Sequence, residues 1–258
     1  EAALRELKRK HSKPIFLWVH YYDAHSPHIQ PVSVPAYGVK RADLYDAELN
    51  FVDGQVGALL RGIKDELGDS ALIVLTGDHG IAFDAPRHET FNYGYDLYSK
   101  VLHVPLIVHA PFFTPRQMSG LVSTMDVFPT IANLLRLPGP FRFEGVSLVP
   151  ELSRGQTSRP AELMHQMFLE ERVMAQEEPL ERVSLRTQRF DLIEDRKSGF
   201  YELYAWPNDF AEQRDLALEP AYESTLLALR QELALMVYSA EHHPPQPGVT
   251  VTALRATP

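Results

Sequence analysis

Asp78 and His79 stand side by side in the run Thr76-Gly77-Asp78-His79-Gly80. A carboxylate beside an imidazole supplies one oxygen and one nitrogen donor, a pair suited to a divalent cation. The run follows Ala71-Leu72-Ile73-Val74-Leu75, a short apolar stretch that reads as a buried strand. The pair therefore falls at the carboxyl end of a strand, where open α/β sheets hold their ligands. Gly80 is expected to let the backbone turn away. The same five residues also fit a plain strand and polar turn, with Asp78 capping the next element.

Histidine placement favours the chemical reading. Eight of the eleven histidines precede residue 110: His11, His20, His25, His28, His79, His88, His103 and His109. Several sit at the ends of expected strands, and a polar site at one sheet edge accounts for that better than a random surface. The densest stretch is His20-Tyr21-Tyr22-Asp23-Ala24-His25-Ser26-Pro27-His28. It follows Ile15-Phe16-Leu17-Trp18-Val19, whose apolar, aromatic character reads as a second buried strand.

The elements that must position these residues follow from periodicity. Residues 2–10 form a short basic helix, stopped by Pro14. Between residues 43 and 67, Val52, Val56, Leu59, Leu60, Ile63 and Leu67 recur at three- and four-residue steps, one apolar helical face. Gly68-Asp69 ends that helix. Strand, loop, helix, strand suggests a parallel βαβ crossover. A loop spans residues 81–95, and a further apolar strand covers residues 105–109. Thr124 or Asp126 can cap a helix reaching about residue 135, with Pro129 in its first turn. Residues 151–160 look like a linker. Residues 183–192 and 199–204 alternate as antiparallel strands do, and residues 222–238 form an amphipathic helix. The expected fold is α/β, a mostly parallel sheet flanked by helices, with a small C-terminal antiparallel sheet plus helix. The expected domains are 1–150, 151–241 and a Pro-rich tail over 242–258.

The bulk numbers set outer bounds. At 258 residues with 45% hydrophobic and 23% charged side chains, the chain suits one large globular domain or two modest ones. A net charge of −9 argues against a general nucleic-acid binder, which needs a basic footprint. It does not exclude an anionic substrate, since a metal and a few cations can dominate one cleft. Without cysteine there is no disulfide, thiolate site or Cys nucleophile. No apolar stretch approaches a membrane span. The charged opening at Glu1 is not a signal peptide and is expected to be an internal position of a longer protein.

Four motifs in order resemble the carboxyl-terminal part of a sulfatase, in the alkaline phosphatase superfamily. They are the strand and loop over residues 16–28; the helix Tyr45-Asp46-Ala47-Glu48-Leu49-Asn50-Phe51-Val52-Asp53 running on to Leu75-Thr76-Gly77-Asp78-His79-Gly80; Leu97-Tyr98, Val104-Pro105-Leu106-Ile107-Val108 and Asp126-Val127-Phe128-Pro129-Thr130; and Glu202-Leu203-Tyr204 with Asp215-Leu216 before a final helix. The resemblance implies a metal-dependent hydrolase of sulfate esters. A phosphoryl-group relative (a phosphodiesterase, phosphonate hydrolase or phosphoethanolamine or glycerol-phosphate transferase) and a non-catalytic remnant are the alternatives. It implies that Asp78 and His79 are metal ligands, with Ca²⁺ first and Mn²⁺, Mg²⁺ or Zn²⁺ also compatible.

The resemblance further implies that His25 contacts substrate and acts as cation or acid, with His88 on a catalytic loop. His28 is read as a loop-packing residue. Where many relatives carry a second His before Gly, this chain has Tyr93-Gly94; Tyr93 is neutral near pH 7 and only donates a hydrogen bond. Either another cation, such as Arg87 or Lys100, covers that role, or the site is altered; each of the two also reads as a solvated surface charge. The family's formylglycine arises in a Cys/Ser-x-Pro-x-Arg stretch, which this chain lacks. Asp69-Ser70-Ala71 imitates a phosphatase nucleophile, but Ser70 lies at the wrong strand end and reads as a turn residue. Partners implied are a small-molecule, glycan or lipid ester, with export by resemblance only.

Overall fold

The computed structural model describes residues 2–83, 92–93, 96–139, 141, 143–155, 163–168 and 181–242. The chain divides into two compact units, Glu1–Ile73 with Val108–Phe112 and Val74–Ile107 with Phe113–Pro258.

The first unit is built on two helices, α1 (Ala2–Leu7) and α2 (Arg41–Leu67). They meet at Gly62, where a Cβ would collide with the Leu4 side chain. The Asp43 carboxylate accepts from the Lys40 N–H at 2.9 Å and closes the start of α2. Gly68, at φ 61°, ends the helix as expected and returns its N–H to the Lys64 carbonyl; a left-handed residue at that place favours glycine. Only Ala47 and Glu48 of α2 are buried.

Residues 15–19 do not form the strand expected of them. They run without regular secondary structure, and Phe16 and Trp18 are each 76% exposed. A strand exists through the ladder to a neighbour, and the described residues offer this segment none.

Around the carboxylate–imidazole pair the chain forms β1 (Ile73–Thr76), β2 (Ile81–Ala82), β3 (Asn92–Tyr93), α3 (Ser99–Leu102) and β4 (Leu106–His109). β1 and β4 form a two-stranded sheet, and β2 pairs antiparallel with β3 inside the expected loop over 81–95. The expected multi-stranded parallel sheet is not formed among the described residues. Next come α4 (Val127–Leu134), preceded by a 3₁₀ turn, and α5 (Val149–Arg154). Asp126 stands at the N-cap of α4, as one expectation had it, but makes no side-chain cap bond there. Ser123 caps the preceding 3₁₀ turn, its hydroxyl accepting from Met125 N–H, while the buried Asp126 carboxylate takes Ser123 N–H at 2.7 Å and Val146 N–H at 2.8 Å. α5 occupies the start of the expected linker and stops at Gly155, φ 71°.

The C-terminal sheet has the order β5 (Leu163–Phe168), β6 (Glu181–Arg186), β7 (Phe190–Asp195), β8 (Phe200–Ala205), all antiparallel. The expected single strand over 183–192 is a hairpin instead. Thr187 makes its turn: the hydroxyl accepts from the N–H groups of Arg189 and Phe190. Such a hydroxyl-built turn carries none of the Gly, Pro, Asn or Asp that usually announces one.

Register places Leu185 opposite Leu192 and Leu192 opposite Leu203. This row packs on Leu229, Leu233 and Val237 of α6 (Glu223–His242), the helical face read from the sequence. Because strand side chains alternate, the other face presents Arg182, Ser184 and Arg186, Asp191 and Ile193, Glu202 and Tyr204. That face receives residues 96–103. Among the described residues no helix is long and apolar enough to cross a membrane.

Candidate functional site

Asp78 and His79 lie directly after β1 and are locally ordered. Asp78 Oδ1 accepts from the His79 backbone N–H at 2.9 Å. His79 Nδ1 meets the Gly80 carbonyl at 2.9 Å. A carbonyl can only accept, so Nδ1 carries the proton and Nε2 holds the ring's lone pair. That Nε2 lies 4.0 Å from Asp78 Oδ2, and the two side chains are 38% and 75% exposed. Two donors each about 2.0–2.6 Å from one ion can stand about this far apart. The donor types and the fixed tautomer fit a divalent cation. Among the described residues no group of three or more His, Asp or Glu side chains is arranged to hold a metal.

Gly80 works differently from expectation. Its φ is not positive. A Cβ there would run into the Lys100 carbonyl, and Gly80 N–H donates to the Val101 carbonyl at 2.7 Å. The glycine permits close backbone approach rather than a turn. The Asp78-His79 loop is thereby held to α3, and α3 also carries Lys100.

The segment of α3 is fixed in turn by the polar face of the C-terminal sheet. Arg182 Nη1 donates to Asp96 at 2.7 Å, and Tyr98 Oη donates to Glu202 at 2.8 Å. Burial, followed by the Glu202 and Asp96 charges, pushes the Tyr98 phenol well up, so it stays a donor. Ser99 gives its N–H and its hydroxyl to Glu212 Oε1 at 2.9 and 2.8 Å, and accepts from Arg186 Nη2 at 2.9 Å. Arg186 also pairs with Asp191 and stacks on Trp206. Sequence reading missed these residues as a set. Strand alternation alone puts Arg182, Arg186, Asp191 and Glu202 on one face, and that was the available signal.

His25 belongs to the first unit. It is exposed, stacks on Tyr22 at 4.4 Å, and its Nδ1 donates to the Ser26 carbonyl at 2.8 Å. The same logic leaves its lone pair on Nε2. His28 is the packing residue it was read to be: its Nδ1 meets Glu48 at 2.6 Å with both side chains 2% exposed, and Glu48 also takes the Ile29 N–H at 2.7 Å. Ser70 donates to the Leu67 carbonyl at 2.7 Å at the end of α2, a turn residue. Lys100 is half-buried on α3 and Tyr93 lies in β3. His88 and Arg87 lie outside the described residues. Two concavities, of about 560 and 410 Å³, are lined by neither Asp78 nor His79.

The Sulfatase family matches residues 1–137, and the family described as N-sulphoglucosamine sulphohydrolase, C-terminal, matches residues 88–238. The uncharacterized sulfatase YidJ of Escherichia coli is 25% identical over 179 residues, 69% of this chain and 30% of its own length. Arylsulfatase K of Gallus gallus is 34% identical over 102 residues, 39% of this chain and 18% of its own. Among solved structures, BT4656 in complex with D-glucosamine-2-N,6-O-disulfate is 21% identical, with a TM-score of 0.66 over 81% of this chain and 44% of that one. The phosphonate monoester hydrolase of Agrobacterium radiobacter is 23% identical, with a TM-score of 0.64 over 78% and 42%. The chain thus spans under a third of these curated relatives and under half of these solved structures.

Proposed function

The chain belongs to the sulfatase family, and on that premise we propose that the whole protein is a metal-dependent sulfuric ester hydrolase. Residues 1–150 form the later part of its catalytic domain, and residues 151–241 its C-terminal subdomain. Sulfated sugars are the substrate class, a reading supported by the sugar disulfate named for one structural neighbour and the sulphohydrolase named for the matching family.

One observation carries the reading: the Gly80 carbonyl fixes the His79 tautomer and leaves Nε2 4.0 Å from Asp78 Oδ2. Asp78 and His79 would hold the cation, with Ca²⁺ the first choice. When bound, such an ion supplies charge neutralisation at the ester oxygens. His25, once its Nε2 is protonated, would bind an ester oxygen as a cation or deliver that proton to the departing alcohol oxygen. His88 would serve the same end of the reaction. Tyr93 would donate one hydrogen bond, and Lys100 would place a positive charge against the sulfate. The nucleophile comes from residues outside this chain.

The direct test is release of 4-nitrophenol from 4-nitrophenyl sulfate by the full-length protein. His79→Ala is expected to lower kcat/KM at least about 100-fold, by analogy with the loss seen when metal-site partners are removed. Equal rates for both proteins would overturn the assignment. The phosphonate hydrolase neighbours support running a phosphonate monoester alongside; a faster rate with it would replace the sulfate reading.

A further inference from the structure

We propose that Glu212, in the loop after the C-terminal sheet, is a positioning residue for the Asp78-His79 site, acting through Ser99 and α3 while its carboxyl keeps a proton beside the Arg186–Asp191 pair. This rests on the function proposed above. Four observations converge on it.

Glu212 is 3% exposed yet lies at φ 53°, a left-handed backbone that a long side chain adopts only when its surroundings compel it. In that conformation its carboxyl meets Ser99, whose N–H and hydroxyl both reach Glu212 Oε1. Ser99 opens α3, and two residues on the Val101 carbonyl receives Gly80 N–H at 2.7 Å. A short chain of bonds therefore runs from the C-terminal sheet to the loop bearing the metal donors.

The charges around Glu212 require a proton. Arg186 pairs directly with Asp191 and stands 3.9 Å from Glu212. One guanidinium faces two buried carboxyls. Asp191 Oδ1 is buried with no hydrogen-bond partner, and Asp191 and Glu212 both approach the same Arg186 Nη2. Two buried carboxyls beside one guanidinium do not both ionise readily, so one of them keeps a proton. Arg186 sits on Asp191, so the proton belongs on Glu212. Burial, reinforced by the Asp191 charge and opposed by the Ser99 bonds, pushes the Glu212 carboxyl up to about 7. The α3 segment carries Asp96, bonded to Arg182; Tyr98, bonded to Glu202; Lys100; and His103, whose pKa burial and Arg186 pull down. Asp209, on Glu212's own loop, is turned to the backbone N–H groups of Gln213 and Arg214.

The direction follows from linkage. A carboxyl whose pKa is raised on folding contributes fully below its ordinary value of 4.5, and that contribution is lost as pH rises to about 7. Above that point two like charges share one arginine, and the hold on Ser99 loosens.

Glu212→Gln keeps the acceptor for Ser99 and carries no charge at any pH. In the full-length protein, amide exchange at pH 8 over residues 78–83 and 97–103 should be about tenfold slower in Glu212→Gln than in wild type, with equal rates at pH 6. Asp191→Asn, which removes the second charge, should slow the same segments at pH 8. With 4-nitrophenyl sulfate, wild-type kcat/KM should fall between pH 6 and 8, and Glu212→Gln should flatten that fall while its pH 6 value stays within about twofold. Equal exchange in variant and wild type at pH 8, or an unchanged pH profile, overturns the proposal. If the exchange difference appears but no form cleaves the ester, the hydrolase reading fails and the coupling stands. If the ester is cleaved with matching profiles and exchange, the coupling fails alone.

Discussion

Leu185, Leu192 and Leu203 are fully buried between the C-terminal sheet and α6, whereas Phe16 and Trp18, at the head of the histidine-rich stretch, are each 76% exposed. The first region closes its own core. Each such side chain contributes about 1.5–3 kcal/mol by leaving water, and both faces of the sheet are occupied, one by α6 and one by residues 96–103. The second region has few buried side chains, among them Leu7, Ala47 and the His28–Glu48 pair. Side chains in Ile15-Phe16-Leu17-Trp18-Val19 have the composition of a core and the exposure of a surface. The contrast shows where the Asp78-His79 loop gets its order. It is tied by Gly80 and α3 to the self-contained sheet, and it needs no large pocket of its own to be preorganised.

Four substitutions sharpen or break that contrast, the largest effect first. Leu203→Ala removes a fully buried side chain from the sheet core and should lower stability by about 2–5 kcal/mol, measured by urea denaturation. A loss below ~1 kcal/mol would mean that the sheet core is not the stable element. Glu48→Ala deprives both His28 and the Ile29 N–H of their buried acceptor. It should cost about 3 kcal/mol, and thermal melting that leaves the midpoint unchanged would remove an anchor assigned to that region. Gly80→Ala forces the backbone away from Lys100 at about 1–3 kcal/mol, with faster amide exchange at Gly80 as the diagnostic. Trp18→Ala in this chain should change stability by less than ~0.5 kcal/mol, as exposed positions do. In the full-length protein the same change should cost about 3–5 kcal/mol if other parts of the domain cover it, and equal small effects in both would show that the segment stays at the surface.

The extent to which the sequence reveals this layout depends on whether each signal is local. α2 and α6 are legible because their apolar residues repeat along one face, and Gly68 marks an end by its backbone alone. The Asp78-His79 pair is legible because its donors are adjacent in sequence. The turn at Thr187 escapes because a hydroxyl, not a glycine or proline, builds it. Residues 15–19 read as a strand since composition reports burial but is silent on whether a neighbouring strand is present. The reason for Gly80 escapes for a similar cause: close approach to Lys100 is a contact across twenty residues. The Ser99–Glu212 bond spans 113 residues, and only the fold brings its partners together. Tyr93 and Lys100 stay assigned by family likeness alone.

The cation site proposed at Asp78 and His79 is tested most directly by titrating Ca²⁺ into the full-length protein by calorimetry, once as wild type and once as Asp78→Ala. Stoichiometric binding to wild type, weakened at least about tenfold in the variant, is the expected result. Identical isotherms for the two proteins would contradict it.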